Sequence, residues 1–448
     1  MSIQSTAAPK RRHARTHLSV AIAGVAMAAC HGVATLSVAA GSGPHPALPD
    51  PTRQLLPTVK IAAATGWPPD AVPEAAPGLS VSALARNLDH PRWLYVLPNG
   101  DVLVAETAAP AQPEDGKGIR GWIMHRFMKR AGSVTASADR ITLLRRDAAG
   151  GSGIVRSVLI EHLHSPFGMA LIGETLYVAN TDAVLEFHYT AGMTRITKPG
   201  TKLTDLPAGP INHHWTKNLI ASADGSRLYV TVGSNSNVAE RGMAVENERA
   251  AVWEVDTKSG AHRIFAGGLR NPNGLAWEPS GGALWAAVNE RDELGSDLVP
   301  DYMTALHDGG FYGWPYSYYG THVDIRAADA PPGVLAATLV PDYALGPHTA
   351  SLGLAWSGGS RLPLASAGGM FVGQHGSWNR RPLSGYRVVF VPFANGVPSG
   401  LPVDVLTGFI DPRGHARGRP VGVAVARDGS LLVADDVGNT VWRVSSKP

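Results

Sequence analysis

The stretch Asn212-His213-His214-Trp215-Thr216-Lys217 places two imidazoles, an amide and an ammonium within six residues. A histidine of ordinary pKa at a pocket rim can take a proton from a substrate hydroxyl at neutral pH. Neighbours on an extended chain face opposite ways, so one of His213 and His214 points inward and the other is structural. Cations, imidazoles and amides recur downstream as Arg270-Asn271, Asn273, His348, Arg380 and Arg419, and upstream as His90, Arg92 and His164. Arginine grips planar carboxylates bidentately. Several around one pocket therefore ask for an anionic ligand carrying more than one carboxylate or phosphate. Any one of these residues alone is more often a satisfied surface group, and part of the set can be neutralised by Glu106, Asp435 and Asp436.

What could gather such scattered residues is a repeat. Six times the chain runs from a Pro- or Gly-containing entry through an apolar strand, a Gly/Asn/Asp turn and a second apolar strand. The first unit is His90 to Val96, turn Pro98-Asn99-Gly100-Asp101, then Val102-Leu103-Val104. Later units begin at Ser165, Lys217, Asn271, Ser351 and Arg419. Short turns between apolar runs are hairpin signals, and a spacing of about 66 residues leaves room for a four-stranded sheet plus insertions. The expected fold is all-β, a six-bladed β-propeller over residues 78–448 with four-stranded blades. Leu79–Leu88 is expected to close the ring beside the last blade. In a hairpin the start of strand one and the end of strand two share an end, so all six entries share one mouth.

Composition fits this reading. Of 448 residues 51 are Gly and 34 Pro, a turn-rich load that disfavours a helical bundle. Charged residues make up only 17%, which excludes a disordered chain. The net charge of +3 is misleading: Lys10, Arg11, Arg12 and Arg15, with no acid, lie in residues 1–40, leaving a near-neutral −1 elsewhere. A near-neutral body argues against nucleic acid as a partner. The basic start, the apolar run from Leu18 to about Ala40 and Val38-Ala39-Ala40 read as an export signal or N-terminal anchor over residues 1–40. Export places the protein in the periplasm, with a possible membrane tether. Cys30 is the single cysteine, so cleavage after Ala40 leaves none, excluding disulfides and thiolate sites. Residues 41–77 read as a Pro-rich spacer. Near 119–130 an inserted basic helix is expected, with Ile119, Trp122, Ile123 and Phe127 on one face. Phosphate loops, GxSxG, HExxH and EF-hand patterns are absent from the sequence.

His90-Pro91-Arg92, Asn212 to Lys217, Leu269-Arg270-Asn271-Pro272-Asn273-Gly274-Leu275, Asn289-Glu290-Arg291-Asp292-Glu293, Gly310 to Pro315, His375 to Arg380 and Gly418-Arg419-Pro420 together resemble one family. It is the sorbosone dehydrogenase-like branch of the soluble pyrroloquinoline quinone (PQQ) dehydrogenases, exported six-bladed propellers. The resemblance implies that His214 is the base and that Arg270 and Asn271 bond the quinone oxygens, with Asn273 in the same motif. It implies that Arg419 pairs a cofactor carboxylate, and that calcium takes backbone carbonyls of Glu290 and Arg291. PQQ and calcium are the implied cofactors, a sugar or aldehyde the substrate. With no haem-attachment motif, electrons leave to a separate acceptor, a cytochrome or quinone. Where glucose-oxidising members carry a cofactor-binding lysine this chain has His375 to Arg380, so Arg380 and His348 are expected to retain the cofactor. Val421 stands where one of their paired arginines does. Two rivals remain. One is a calcium-dependent lactonase whose axial metal is held by Glu106, Asn180, Asn235 and Asp435; the other is a propeller that only binds a partner.

Overall fold

The computed structural model describes residues 32–52, 58–111, 125–147 and 153–447. Six antiparallel sheets surround one axis. Blade 1 is Pro91–Val96, Val102–Glu106, Arg140–Arg146 and Ile154–Ile160, in that order from the axis outward. Blades 2 and 3 start at Met169–Ile172 and Leu219–Ala221, blade 4 at Asn271–Trp277, blade 5 at Ser351–Trp356 and blade 6 at Pro420–Val425. These innermost strands are the six expected from the hairpin repeat. The alternation that exposes one face of a solitary sheet is replaced here by near-continuous burial, because blades stack face to face. Six apolar clusters result, one in each blade–blade interface. Trp93 and Phe167 meet between blades 1 and 2, for example, with ring centres 4.8 Å apart.

Crowding at the axis selects small residues. A Cβ on Gly353 would lie 2.2 Å from the Val421 carbonyl oxygen of the next blade, closer than any side chain allows. The ring closes as expected: Leu79–Ala85 pairs antiparallel with Thr440–Ser446, setting Leu79 opposite Ser446. The sheets are not uniformly four-stranded. Gly310–Phe311 adds a parallel strand to blade 3.

The remaining extra strands correct the expectation of a spacer. Ser42–Gly43 pairs with Leu345 and Ala344 on the edge of blade 4, and Glu74–Ala75 with Thr407 and Leu406 on blade 5. Between them Ala64 bridges Ala416, and the Trp67 indole N–H donates to Asp435 at 2.7 Å. The described parts of 41–77 are thus laid along the propeller. Proline content signals only that these residues do not continue a helix or central strand; it is silent on edge pairing with residues 300 positions away. Most of the expected basic helix lies outside the described residues; 125–130 is helical and exposed. Among the described residues no helix is long and apolar enough to cross a membrane.

Candidate active site

His214 lies on the segment that enters blade 3 from blade 2. Its Nδ1 is 2.7 Å from the Ser234 carbonyl and 3.0 Å from Ser234 Oγ. That hydroxyl spends its hydrogen on the Ser236 carbonyl at 2.7 Å, so both oxygens accept and Nδ1 carries the proton. Nε2 is left as a lone pair. Burial holds the imidazole pKa well below its ordinary value, and Arg270 pushes it the same way, so the ring is neutral at pH 7. Of the two adjacent histidines His214 is the enclosed one, while His213 is exposed. Beneath them Lys217 is fully buried and donates to the His214 carbonyl at 3.2 Å, which fixes the turn.

The entry of blade 4 brings Arg270 and Asn271 alongside. A Cβ on Gly233 would fall 2.4 Å from Asn271 Oδ1 and 2.5 Å from His214 Cβ, so both side chains crowd over that glycine. Asn271 Oδ1 is buried with no hydrogen-bond partner. Arg270 is committed. Nη1 donates to the Glu290 carbonyl at 2.7 Å, while Nη2 donates to Asn237 Oδ1 and Asp292 Oδ2, both at 3.0 Å. Asp292 also receives Asn379 Nδ2 at 2.6 Å and lies 3.8 Å from His348 Nδ1. His348 Nε2 meets the Gly295 carbonyl at 2.8 Å, and burial lowers its pKa. Asn273 sits deeper: its Oδ1 accepts from Thr216 at 2.9 Å and its carbonyl from Asn218 at 2.9 Å. Only its Nδ2 is uncommitted.

Across the mouth, blades 5, 6 and 1 converge on Asp436. Its Oδ2 takes Arg92 Nη1 at 2.6 Å and His375 Nε2 at 2.9 Å, with His90 Nε2 at 3.6 Å. Burial would raise this carboxyl, but His375, His90 and Arg92 outweigh it and hold the pKa far below the usual range. Burial pushes His375 down to about 4 against the pull of Asp436, so it donates as a neutral ring. Arg419 lies over the Tyr386 ring at 4.9 Å, and its Nε and Nη2 have no partner although the residue is 3% exposed. Arg92 Nε is likewise unpartnered, 5.6 Å being the distance from its guanidinium carbon to the Trp215 ring centre. Buried guanidinium N–H groups without acceptors are costly, and a carboxylate is the acceptor they suit.

One expected residue is placed otherwise. Arg380 is 1% exposed and turned to the protein: its Nη1 donates to the Pro382 carbonyl at 3.0 Å, and its Nη2 to the Leu36 carbonyl at 2.9 Å. Its partners include the N-terminal segment, which no local motif announces; Arg92 and His375 stand at the mouth instead. The Arg291 side chain is buried against Asp324, so only its backbone is left to face an ion. Glu290 keeps Oε1 unpartnered, and burial pushes its pKa up to about 7. The hubs Asp292 and Asp436 are what the sequence reading undervalued: Asp292 joins Arg270 of its own blade to Asn379 of blade 5, and Asp436 joins Arg92 of blade 1 to His375 of blade 5, links between blades that no local motif announces.

The lactonase ligand set fares poorly. Glu106 is fully buried and already takes Arg140, Thr142 and the Asp89 amide. Asp435 takes both the Trp67 and Trp442 indoles and the amides of Arg419 and Gly438. Carboxylates saturated by donors are poor metal ligands. Among the described residues no group of three or more His, Cys, Asp or Glu side chains is arranged to hold a metal ion.

Known proteins share this fold. The TrAA12-like family profile matches residues 73–301 and 336–447. A PQQ-dependent sugar dehydrogenase of Hypocrea jecorina (strain QM6a) is 23% identical over 271 residues, 55% of this chain and 57% of that protein. An uncharacterized protein of Borreliella burgdorferi is 26% identical over 242 residues, 53% of this chain and 62% of that one. The chain thus matches less than two thirds of the length of either curated relative. The Trichoderma reesei Carbohydrate-Active Enzymes Family AA12 calcium structure superposes with a TM-score of 0.67 at 17% identity, covering 87% of this chain and 99% of that one. The holo PQQ domain of Coprinopsis cinerea pyranose dehydrogenase gives 0.64 at 20% identity, covering 86% and 100%. At such identities the superpositions speak for the fold. With the profile spanning most of the ring, the chain belongs to the TrAA12-like family, a propeller of the kind found in PQQ-dependent sugar dehydrogenases.

Proposed function

We propose that this protein is a periplasmic PQQ-dependent dehydrogenase of the sorbosone dehydrogenase-like branch, oxidising the hydroxyl of a sugar or hydrated aldehyde. The observation that carries the reading is the neutral His214, its Nδ1–H held by Ser234 and its Nε2 lone pair free beside Arg270 and Asn271. Removing hydrogen from an alcohol needs a base for the hydroxyl proton and an acceptor for a hydride. PQQ, when bound, supplies that acceptor as a quinone. The residues fit it: Arg419 and Arg92 offer unpartnered buried N–H groups on one side of the mouth, suited to a carboxylate. On the other side Asn271 Oδ1, buried and unpartnered, crowds Gly233 together with the base. His214 Nε2 takes the hydroxyl proton, and the Ser234 carbonyl stabilises the imidazolium through Nδ1–H. Asp436 offsets the Arg92 charge before an anion arrives.

Calcium fits less directly. Three oxygens that would suit a hard cation, the Glu290 carbonyl, Asn237 Oδ1 and Asp292 Oδ2, are those that Arg270 occupies. An ion at the Glu290 carbonyl therefore requires Arg270 to give way. The test is an absorption titration of purified protein with PQQ, with calcium and with a chelator, followed by candidate aldoses and aldehydes. Saturable one-to-one binding, and a quinone band bleached by one substrate class, is expected. No binding at micromolar PQQ under either condition would overturn the assignment.

A further inference from the structure

Residues 32–40 belong, on sequence grounds, to a leader that ends at Ala40. Their contacts are not those of a discarded segment. Asp297 Oδ2 accepts from the Thr35 amide at 2.6 Å, Thr35 Oγ1 at 2.8 Å and the Leu36 amide at 3.2 Å. Arg380, itself 3.3 Å from Asp297 Oδ1, donates to the Leu36 carbonyl at 2.9 Å. The Ala34 amide donates to the Arg381 carbonyl at 2.6 Å, and Ser296 Oγ to the Gly32 carbonyl at 2.5 Å. The chain then turns, with Ser42 Oγ on the Val38 carbonyl at 2.7 Å, and joins the edge of blade 4 through Ser42 and Gly43.

These contacts converge on the loop after blade 4's second strand. That loop carries Asp292, which holds Arg270 and Asn379, and Gly295, whose carbonyl receives His348. Cutting after Ala40 would strip three donors from Asp297 and an acceptor from the buried Arg380 guanidinium. Leaving such groups unsatisfied is costly.

We propose that the mature protein retains residues 32–43, with processing N-terminal to Gly32, and that they form a strap holding the 292–298 loop against the mouth. This inference stands apart from the assignment of cofactor and substrate. Its test is to produce the full chain with its own leader in a Gram-negative host and weigh the exported protein. A mass corresponding to a chain that starts at or before Gly32 is expected; a start at Gly41 or beyond overturns the proposal. On the same protein, amide hydrogen exchange at Thr35 and Leu36 should be at least tenfold slower than in an unfolded chain, and unprotected amides would overturn the strap. Asp297→Ala should speed exchange across 294–298 at least tenfold while residues 431–435 stay protected. Asp297→Asn, which keeps one acceptor oxygen, should restore part of that protection. Exchange across 294–298 unchanged in Asp297→Ala would overturn the holding role, and the two measurements on the unaltered protein decide the matter should that variant not fold.

Discussion

At the scale of single residues, the site works by leaving chosen atoms uncommitted. His214 Nε2 is free because Nδ1 is pinned, so His214→Ala should lower kcat by about 10²- to 10⁴-fold while PQQ still binds. An unchanged kcat in steady-state assays would remove His214 from the chemistry. Since burial lowers its pKa, the base is already deprotonated at pH 7 and is lost only as pH falls below about 6.5. The kcat/KM profile of the loaded enzyme should therefore be flat from 7 to 6.5, with its acid limb below. Arg419→Ala removes two unpartnered donors, and charge-assisted hydrogen bonds contribute about 1.5–3 kcal/mol. The PQQ dissociation constant should rise about 10- to 100-fold, measured by titration. Glu290 has the opposite signature. Its raised pKa of about 7 means the folded state favours the proton, so its contribution is full below about 4.3 and is lost as pH rises through 7. Glu290→Gln, neutral at every pH, should melt above the parent at pH 8.5 and level with it near pH 4, read by calorimetry.

At the scale of strands and blades, the sequence spoke clearly wherever structure is local. All six inner hairpins, their turns and the closing strand were legible, since each is an apolar run punctuated by Gly, Asn or Asp within a dozen residues. The place of His214, Arg270 and Asn271 at the mouth was legible for the same reason, each lying at the entry of such a run. Arg380 was misplaced because its acceptors, Leu36 and Asp297, lie 344 and 83 residues away. The path of residues 41–77 was hidden likewise, edge pairing being a backbone affair with little residue preference. The axial glycines are the reverse case, where one atom decides how blades meet. Gly353→Ala should force blades 5 and 6 apart at Val421 and lower the melting temperature by several degrees, overpacking costing about 1–3 kcal/mol. Retained melting behaviour would show that the axis has slack.

At the scale of the whole molecule, closure is what makes one site from six hairpins. Asp436 of blade 6 ties Arg92 of blade 1 to His375 of blade 5, so that side of the mouth exists only in the closed ring. The closing contact sets Leu79 against Ser446 across almost the entire chain. Such pairing is slow, because the entropy of bringing distant segments together is lost before any contact repays it. Blade 6 cannot be completed until Thr440–Ser446 has left the ribosome. The ring thus matures abruptly, and any ligand held at its mouth waits on the Thr440–Ser446 strand rather than on an earlier blade.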